Sequence, residues 1–207
     1  MSNAYQVVRD FEQAVADYAG SRYAVAVESC SAAIFLCCKY VDVSKIPEIS
    51  VPRFTYPSVP ASIVNAGGRV RFVDSDWQTR GFYKLDPTMI VDSAKYLGRG
   101  CCVGAPDGLL ICLSFHAKKT LPIGRGGMVL TSSKETADWL RCARFDGRHE
   151  CALDKDVLAM SGWNMYMEPE QAARGLQLMQ WVKDENILPP DPYTDLSKYD
   201  FFTGANR

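Results

Sequence analysis

Apolar residues recur every three or four positions from Tyr5 to Tyr18, at Val8, Phe11, Val15 and Tyr18. That spacing marks one face of a helix, and Gly20 stands where a left-handed residue closes it. "YAVAVES" (Tyr23 to Ser29) loses the period and reads as a short buried strand. It runs without a break into "SCSAAIFLCCKYV", apolar on nearly every side, which predicts a helix enclosed by the core. "PEISVP" is a second strand ending at Pro52, and "TYPSVPASIVNAGG" is a helix from Pro57 closed by Gly67 and Gly68. "RVRFVDSD", "TMIVDSA" (ending on Asp92), "LLICLSF" (ending at Ser114) and "GGMVLTS" are further strands. "SKETADWLRCARF" is a helix capped by Ser132 or Ser133, and "EPEQAARGLQLMQWVKDEN" is the last helix. The tail from Ile187 onward is rich in Pro and Asp and reads as extended or loosely packed.

Apolar strands alternating with helices predict an α/β fold, a mostly parallel sheet with helices on both faces. The 207 residues suffice for one sizeable core, and no repeat or linker divides them. A net charge of -1 gives no overall basic footprint for nucleic acid, so any charge argument has to be local. The eight cysteines form no CxxC pair and there are only two His, so zinc spacing is missing. Cys37, Cys38 and Cys112 lie in apolar runs and read as buried reduced thiols of a cytoplasmic protein. No stretch reaches the ~18 apolar residues of a membrane span, and the N-terminus carries no signal-type apolar core, so no membrane partner is expected.

In α/β sheets, ligands bind beyond the carboxyl ends of the strands. The polar residues there are Ser29-Cys30-Ser31, Thr55-Tyr56, Asp92 and the stretch Ser114 to Lys119. Hydroxyls at a helix start, an aromatic ring, a carboxylate and a lysine are the inventory that holds a phosphorylated pyridine. The Gly-rich "GRGG" does not read as a free-standing nucleotide loop, because no strand–loop–helix with a P-loop lysine surrounds it.

Five blocks in order carry a resemblance: "FEQAVADYAGSRYAVAVESCSAAIFL", "VPRFTYPSVPASIVNAGGRVRFVDSD", "IVDSA", "SFHAKKTLPIGRGGMVLTS" and "GWNMYMEPEQAARGLQL". Together they resemble the DegT/DnrJ/EryC1/StrS sugar aminotransferases, pyridoxal-phosphate (PLP) enzymes of fold type I. The resemblance implies the large domain of that fold over residues 1–186, with 187–207 as an extended tail. It implies PLP as cofactor, with Lys119 as the catalytic residue that forms the Schiff base. Asp92 falls at the partner of the pyridine nitrogen, and Tyr56 at the aromatic that stacks on the ring. Ser31, Ser114 and the backbone near Cys30 fall at the phosphate, and Lys95 at a contact to the ring hydroxyl. Asn164 falls at an asparagine that reaches the phosphate in the other subunit, which implies a homodimer with shared active sites.

The chain also departs from that family. Between Asp76 and Asp92 only "WQTRGFYKLDPTMIV" stands where the family has another strand and helix, and the family's small C-terminal domain has no counterpart. A more open pocket is the expectation. Lys95, Arg125, Lys118 and Arg53 are expected to form a basic rim, with Tyr166 placed to stack on a base or sugar. His116 is a hydrogen-bonding or proton-carrying candidate, and these residues are candidate substrate contacts. The default activity is amino transfer to a nucleotide-linked keto sugar, a small-molecule substrate. The alternatives are decarboxylation or other Cα chemistry on an amino acid attached to a polyanion such as modified DNA, and a non-catalytic binding module.

Overall fold

The computed structural model describes residues 4–184, 186 and 189–203. Helix α1 (Gln6–Ala19) buries Val8, Phe11, Val15 and Tyr18, and Gly20 closes it at φ 72°, its amide bonded to Ala16 O. Strand β1 (Tyr23–Val27) leads into α2 (Cys30–Tyr40), where the Ser29 side chain accepts from the Ala32 amide as the cap. Next come β2 (Ile49–Pro52), α3 (Ser58–Asn65) and β3 (Val70–Val73). The linker after Asp76 folds into a 3-10 turn at Trp77–Thr79 and a short strand, β4 (Tyr83–Lys84). Strands β5 (Ile90–Asp92), β6 (Leu110–Ser114) and β7 (Gly127–Thr131) follow, then α4 (Lys134–Ala143), capped by Ser133, and α5 (Pro169–Met179).

The α/β class holds, but the sheet is mixed rather than mostly parallel. Its order is β1-β7-β6-β5-β4, and β2 and β3 form a separate pair. Only β5/β6 and β2/β3 run parallel; β1/β7, β6/β7 and β4/β5 are antiparallel. The cause is connection length. Parallel neighbours require a crossover, usually helical. The link from Phe115 to Gly126 contains no helix, so β7 returns antiparallel beside β6. The short link after Lys84 likewise returns β5 against β4.

Helices cover both faces. Apolar residues of α2, α3 and α4 pack with Val25, Val27, Leu110, Cys112 and Val129 on one side. Residues of α1 and α5 pack with Ala24, Ala26, Leu113, Met128 and Leu130 on the other. The alternating side chains of β1 are thereby divided between two cores, as the pleat requires. The reading of Cys37, Cys38 and Cys112 as core residues agrees with their burial.

One polar cluster penetrates this core. Arg144 is 0% exposed and Glu12 3% exposed. The Arg144 guanidinium donates to Glu12 Oε1 at 2.6 Å, to Glu150 Oε1 at 3.0 Å and to Ala26 O. The Ala26 amide donates back to Glu12 Oε1 at 2.9 Å. Arg141 and Arg9 complete the cluster on Glu12 and Glu150. Helices α1 and α4 are thus tied to β1 through one buried carboxylate.

Two further expectations change. Helix α5 stops at Met179, short of the expected Asn186, because the chain beyond it is held by other partners: Tyr18 OH donates to Lys183 O and Arg99 pairs with Asp184. The tail, over its described residues 189–203, carries 3-10 turns at Leu196–Lys198 and Asp200–Phe202, with Leu196 and Phe202 buried. The expected tail boundary at Ile187 lies outside the described residues.

Candidate active site

The carboxyl ends of β5 and β6 bring Asp92 and Ser114 together with the turn that follows. That turn is closed by the Lys119 amide on His116 O at 2.9 Å, and Ser114 Oγ accepts from the His116 amide at 3.4 Å. Asp92 is 4% exposed. Its Oδ1 accepts from the Ala94 amide at 2.9 Å, and its register partner on β4 is Tyr83. The Tyr83 hydroxyl lies 2.6 Å from Thr55 Oγ1. Burial pushes the Asp92 carboxyl above its ordinary range, against the Tyr83 hydroxyl, the Ala94 amide and the positive charge of Lys119. Lys119 likewise acts on Cys30, whose thiol burial and Asp92 push up, and on Asp191 of the tail.

Two helices begin beside this group. Ser31, in the first turn of α2, donates through Oγ to Ser58 Oγ of α3 at 2.6 Å, and Ser62 Oγ donates to Ser31 O at 3.1 Å. The amides of Cys30 and Ser31 have no intrahelical acceptor, and the helix dipole adds partial positive charge there. Gly127 lets β7 start against this turn, since a Cβ there would fall 2.3 Å from the Ser29 carbonyl carbon.

Lys119, Asp92, Ser31, Cys30 and Ser114 therefore converge on one sheet end. Tyr56 precedes α3 and is 62% exposed. Lys95 is directed elsewhere: 3% exposed, it donates to Pro189 O and pairs with Asp191 Oδ2 at 3.0 Å. Asn164 is exposed, and its amide donates to Asp146 Oδ2 at 3.2 Å.

The expected basic rim is largely offset. Arg53 pairs with Asp74 at 2.9 Å and Asp195 at 3.7 Å, and Arg125 with Glu28 at 2.7 Å. With Lys95 bound to Asp191, Lys118 is the one member with no acidic partner among the described residues. Tyr166 is packed against Tyr5 and Phe145, with ring centroids at 5.6 and 5.1 Å, rather than presented for stacking on a base. His116 is exposed and accepts at Nδ1 from the Lys118 amide at 3.4 Å. Cations chosen one at a time from a sequence carry no information about the acids that meet them across the fold.

Sequence reasoning placed Thr55 at a strand end without its partner Tyr83, and missed Tyr83, Ser58 and the tail residues Asp191 and Tyr193. A two-residue strand has no period to detect, so β4 left no signal. The block containing Thr55 and Ser58 was legible, but their partners come from distant segments.

The model of the DegT/DnrJ/EryC1/StrS aminotransferase family matches residues 1–93 and 88–187. The spore coat polysaccharide biosynthesis protein SpsC of Bacillus subtilis (strain 168) is 26% identical, over 86% of this chain and 57% of that protein. The GDP-perosamine synthase of Escherichia coli O157:H7 is 25% identical, over 89% of this chain and 60% of its own length. Among solved structures, AtS13 from Actinomadura melliaura superposes with a TM-score of 0.71 at 22% identity, covering 85% of this chain and 60% of that one. At that identity the likeness establishes the fold. The chain spans less than two thirds of the length of these curated relatives, and residues 188–207 lie beyond the family match.

Proposed function

The chain belongs to the DegT/DnrJ/EryC1/StrS aminotransferase family, and from that premise we propose that it is a PLP-dependent aminotransferase with a nucleotide-linked keto sugar as acceptor. The observation that carries this reading is the buried Asp92 carboxylate within the field of Lys119, at a sheet end where two helices begin.

The donor set suits the cofactor. A dianionic phosphate matches the amides of Cys30 and Ser31 and the Ser31–Ser58 hydroxyl pair, with Ser114 close by. Asp92 matches a protonated ring nitrogen, a cation that would offset the cost of burying its charge. When bound, PLP supplies an aldehyde that engages an amine and a conjugated ring that takes up the electron pair of a bond broken at Cα. Lys119 Nζ provides the amine and, once freed, a base that carries a proton to and from carbon. The Ala94 amide fixes the Asp92 carboxylate, so that it needs less reorganisation as charge develops. Lys95 is not assigned to the cofactor, because its ammonium is taken by the tail.

The GDP-perosamine synthases among the relatives support the choice of acceptor. A homodimer goes with this reading, with Asn164, exposed on the surface, reaching the phosphate in the other subunit. A cytoplasmic setting accords with eight free thiols. Among the described residues no helix is long and apolar enough to cross a membrane. With Arg53, Lys95 and Arg125 paired to acids, no observation favours a nucleic-acid substrate.

The test adds PLP to the purified protein and follows visible absorbance, then supplies glutamate and nucleotide-linked keto sugars and weighs the products. Replacement of a sugar oxo group by an amine is the expected result, and a protein that never takes up PLP would refute the reading. Asp92→Asn keeps the shape and removes the charge. We expect it to hold PLP but to lose about a hundredfold or more in amino transfer, read by single-turnover kinetics. Wild-type turnover in that variant would remove Asp92 from the role.

A further inference from the structure

Two neighbouring thiols, Cys101 and Cys102, stand in the turn that joins β5 to β6, and the end of α1 holds that turn in place. The Gly100 amide donates to Tyr18 O at 2.8 Å and the Cys102 amide to Ala19 O at 2.8 Å. Within the turn, the Cys101 amide donates to Gly98 O at 3.2 Å and the Val103 amide to Gly100 O at 2.9 Å. Arg99 pairs with Asp184 and lies over the Tyr18 ring at 4.9 Å. Cys102 borders a cleft of about 310 Å³, whose other walls include Arg22, Leu109 and Ser132. Arg22 precedes β1, Leu109 precedes β6 and Ser132 follows β7. The cleft therefore opens at the sheet end opposite to Asp92 and Ser114.

The two sulfurs are 3.9 Å apart, and both residues are half-buried. Among the described residues Cys37 and Cys112 come equally close, at 3.8 Å, but each is 0% exposed. Cys151 is exposed and Cys142 half-buried, and neither has a thiol partner among the described residues. Cys101 and Cys102 thus combine proximity with access. They also share a proton. The Cys102 thiol holds Cys101 below the ordinary thiol range, with the Gly98 and Cys101 amides helping and burial opposing. The same contact, with burial, pushes Cys102 up. At neutral pH the pair is a thiolate beside a thiol. A thiolate attacks oxidants, and a thiol within reach resolves the product.

We propose that Cys101 and Cys102 form a redox modification site, at which a hydroperoxide is reduced and the two neighbouring sulfurs close into a disulfide. The Cys101 sulfur attacks the terminal oxygen of the hydroperoxide. An S–O bond forms as the O–O bond breaks, and the departing alkoxide takes a proton from solvent and leaves as the alcohol. Cys101 is oxidised by two electrons to a sulfenic acid, and the hydroperoxide is reduced by two. The Cys102 sulfur then attacks the Cys101 sulfur. The S–S bond forms as the S–O bond breaks, and the hydroxide leaves with the Cys102 proton as water. Neighbouring Cα atoms lie ~3.8 Å apart, closer than the ~4.4–6.8 Å usual for a disulfide. The product is therefore strained, and a dithiol reductant returns it readily to two thiols. The site needs neither Lys119 nor PLP and stands apart from the proposed function.

The experiment treats the full, reduced chain with tert-butyl hydroperoxide at neutral pH, quenches it in denaturant with iodoacetamide and digests it with trypsin. Residues 100–118 form one peptide that carries Cys101, Cys102 and Cys112. The expected product is that peptide lighter by two hydrogens, with the alkyl label on Cys112 alone, and dithiothreitol should restore all three labels. Cys101 should react about threefold or more faster than the exposed Cys151, because more of it is thiolate. Cys102→Ser removes the resolving thiol, so Cys101 should stop at the sulfenic acid and be captured by dimedone. Labels on Cys101 and Cys102 that survive the peroxide would overturn the proposal. So would a sulfinic acid at Cys101 in place of the disulfide, or label lost from Cys112 as fast as from Cys101.

Discussion

Lys119→Ala is expected to remove the visible absorbance that PLP develops with the wild-type protein, and amino transfer with it. Among the described residues, its amine is the one whose charge acts on both the buried Asp92 and the Cys30 turn. Lys118, one residue earlier, is exposed and contributes its backbone amide to His116 instead. A neighbouring lysine therefore does not substitute. General acid–base and nucleophilic contributions of this kind span about 10² to 10⁴ in rate, so loss of both leaves no measurable turnover in an ordinary assay. PLP affinity is expected to fall less, because the helix starts at Ser31 and Ser58 and the Asp92 contact remain. Absorbance spectra and retained PLP after desalting check both halves. A visible band of wild-type strength in Lys119→Ala would show that the assignment is wrong, whereas the same band lost in Lys118→Ala alone would move it by one residue.

Arg144→Met is expected to destabilise the core strongly, by about 3 kcal/mol, because it takes the buried cation from Glu12 and leaves that carboxylate to Arg141, Arg9 and the Ala26 amide. Arg144 spans Glu12, Glu150 and Ala26 O and has no exposed surface. The loss should also depend on pH. Desolvation raises Glu12, but the Arg144 and Arg141 charges, the Ala26 amide and Arg9 together hold its carboxyl below the ordinary range. A carboxyl depressed in the folded state contributes stability that is present above its unfolded value, about pH 4.3, and is lost as pH falls through the folded value. The gap between wild type and Arg144→Met should therefore be full at neutral pH and narrow in acid. Urea denaturation at several pH values measures it, and a gap independent of pH would show that packing rather than the ion pair is responsible.

How far the site could be read from the chain alone depended on the distance over which each signal operates. Asp92, Ser114 and Lys119 follow directly from strands whose apolar runs end on polar residues, and Ser31 from a strand that enters a helix through a cap. These are local patterns, and their convergence needs only the general rule that sheet ends carry the ligands. Lys95 shows the limit. The family resemblance implied a cofactor contact for it, yet its ammonium is held by Pro189 and Asp191, which lie far along the chain. The same holds for Arg53 and Arg125, whose acidic partners come from other segments. Tyr166 likewise meets Tyr5 from the opposite end of the sequence.

Residue periodicity, caps and glycines determined by themselves which segments become helices and strands, β4 and the end of α5 excepted, because hydrogen bonding and one-sided burial act over a few residues. They also placed a lysine, a carboxylate and a helix-start hydroxyl at the strand ends. Only the tertiary structure decided strand direction, since that depends on whether a connection can hold a crossover helix. It alone decided which charges are spent on one another, and that the tail docks through Leu196 and Phe202 against Arg53 and Phe72. Coulomb and hydrogen-bond partners are chosen by distance in space, and no spacing along the chain encodes that distance.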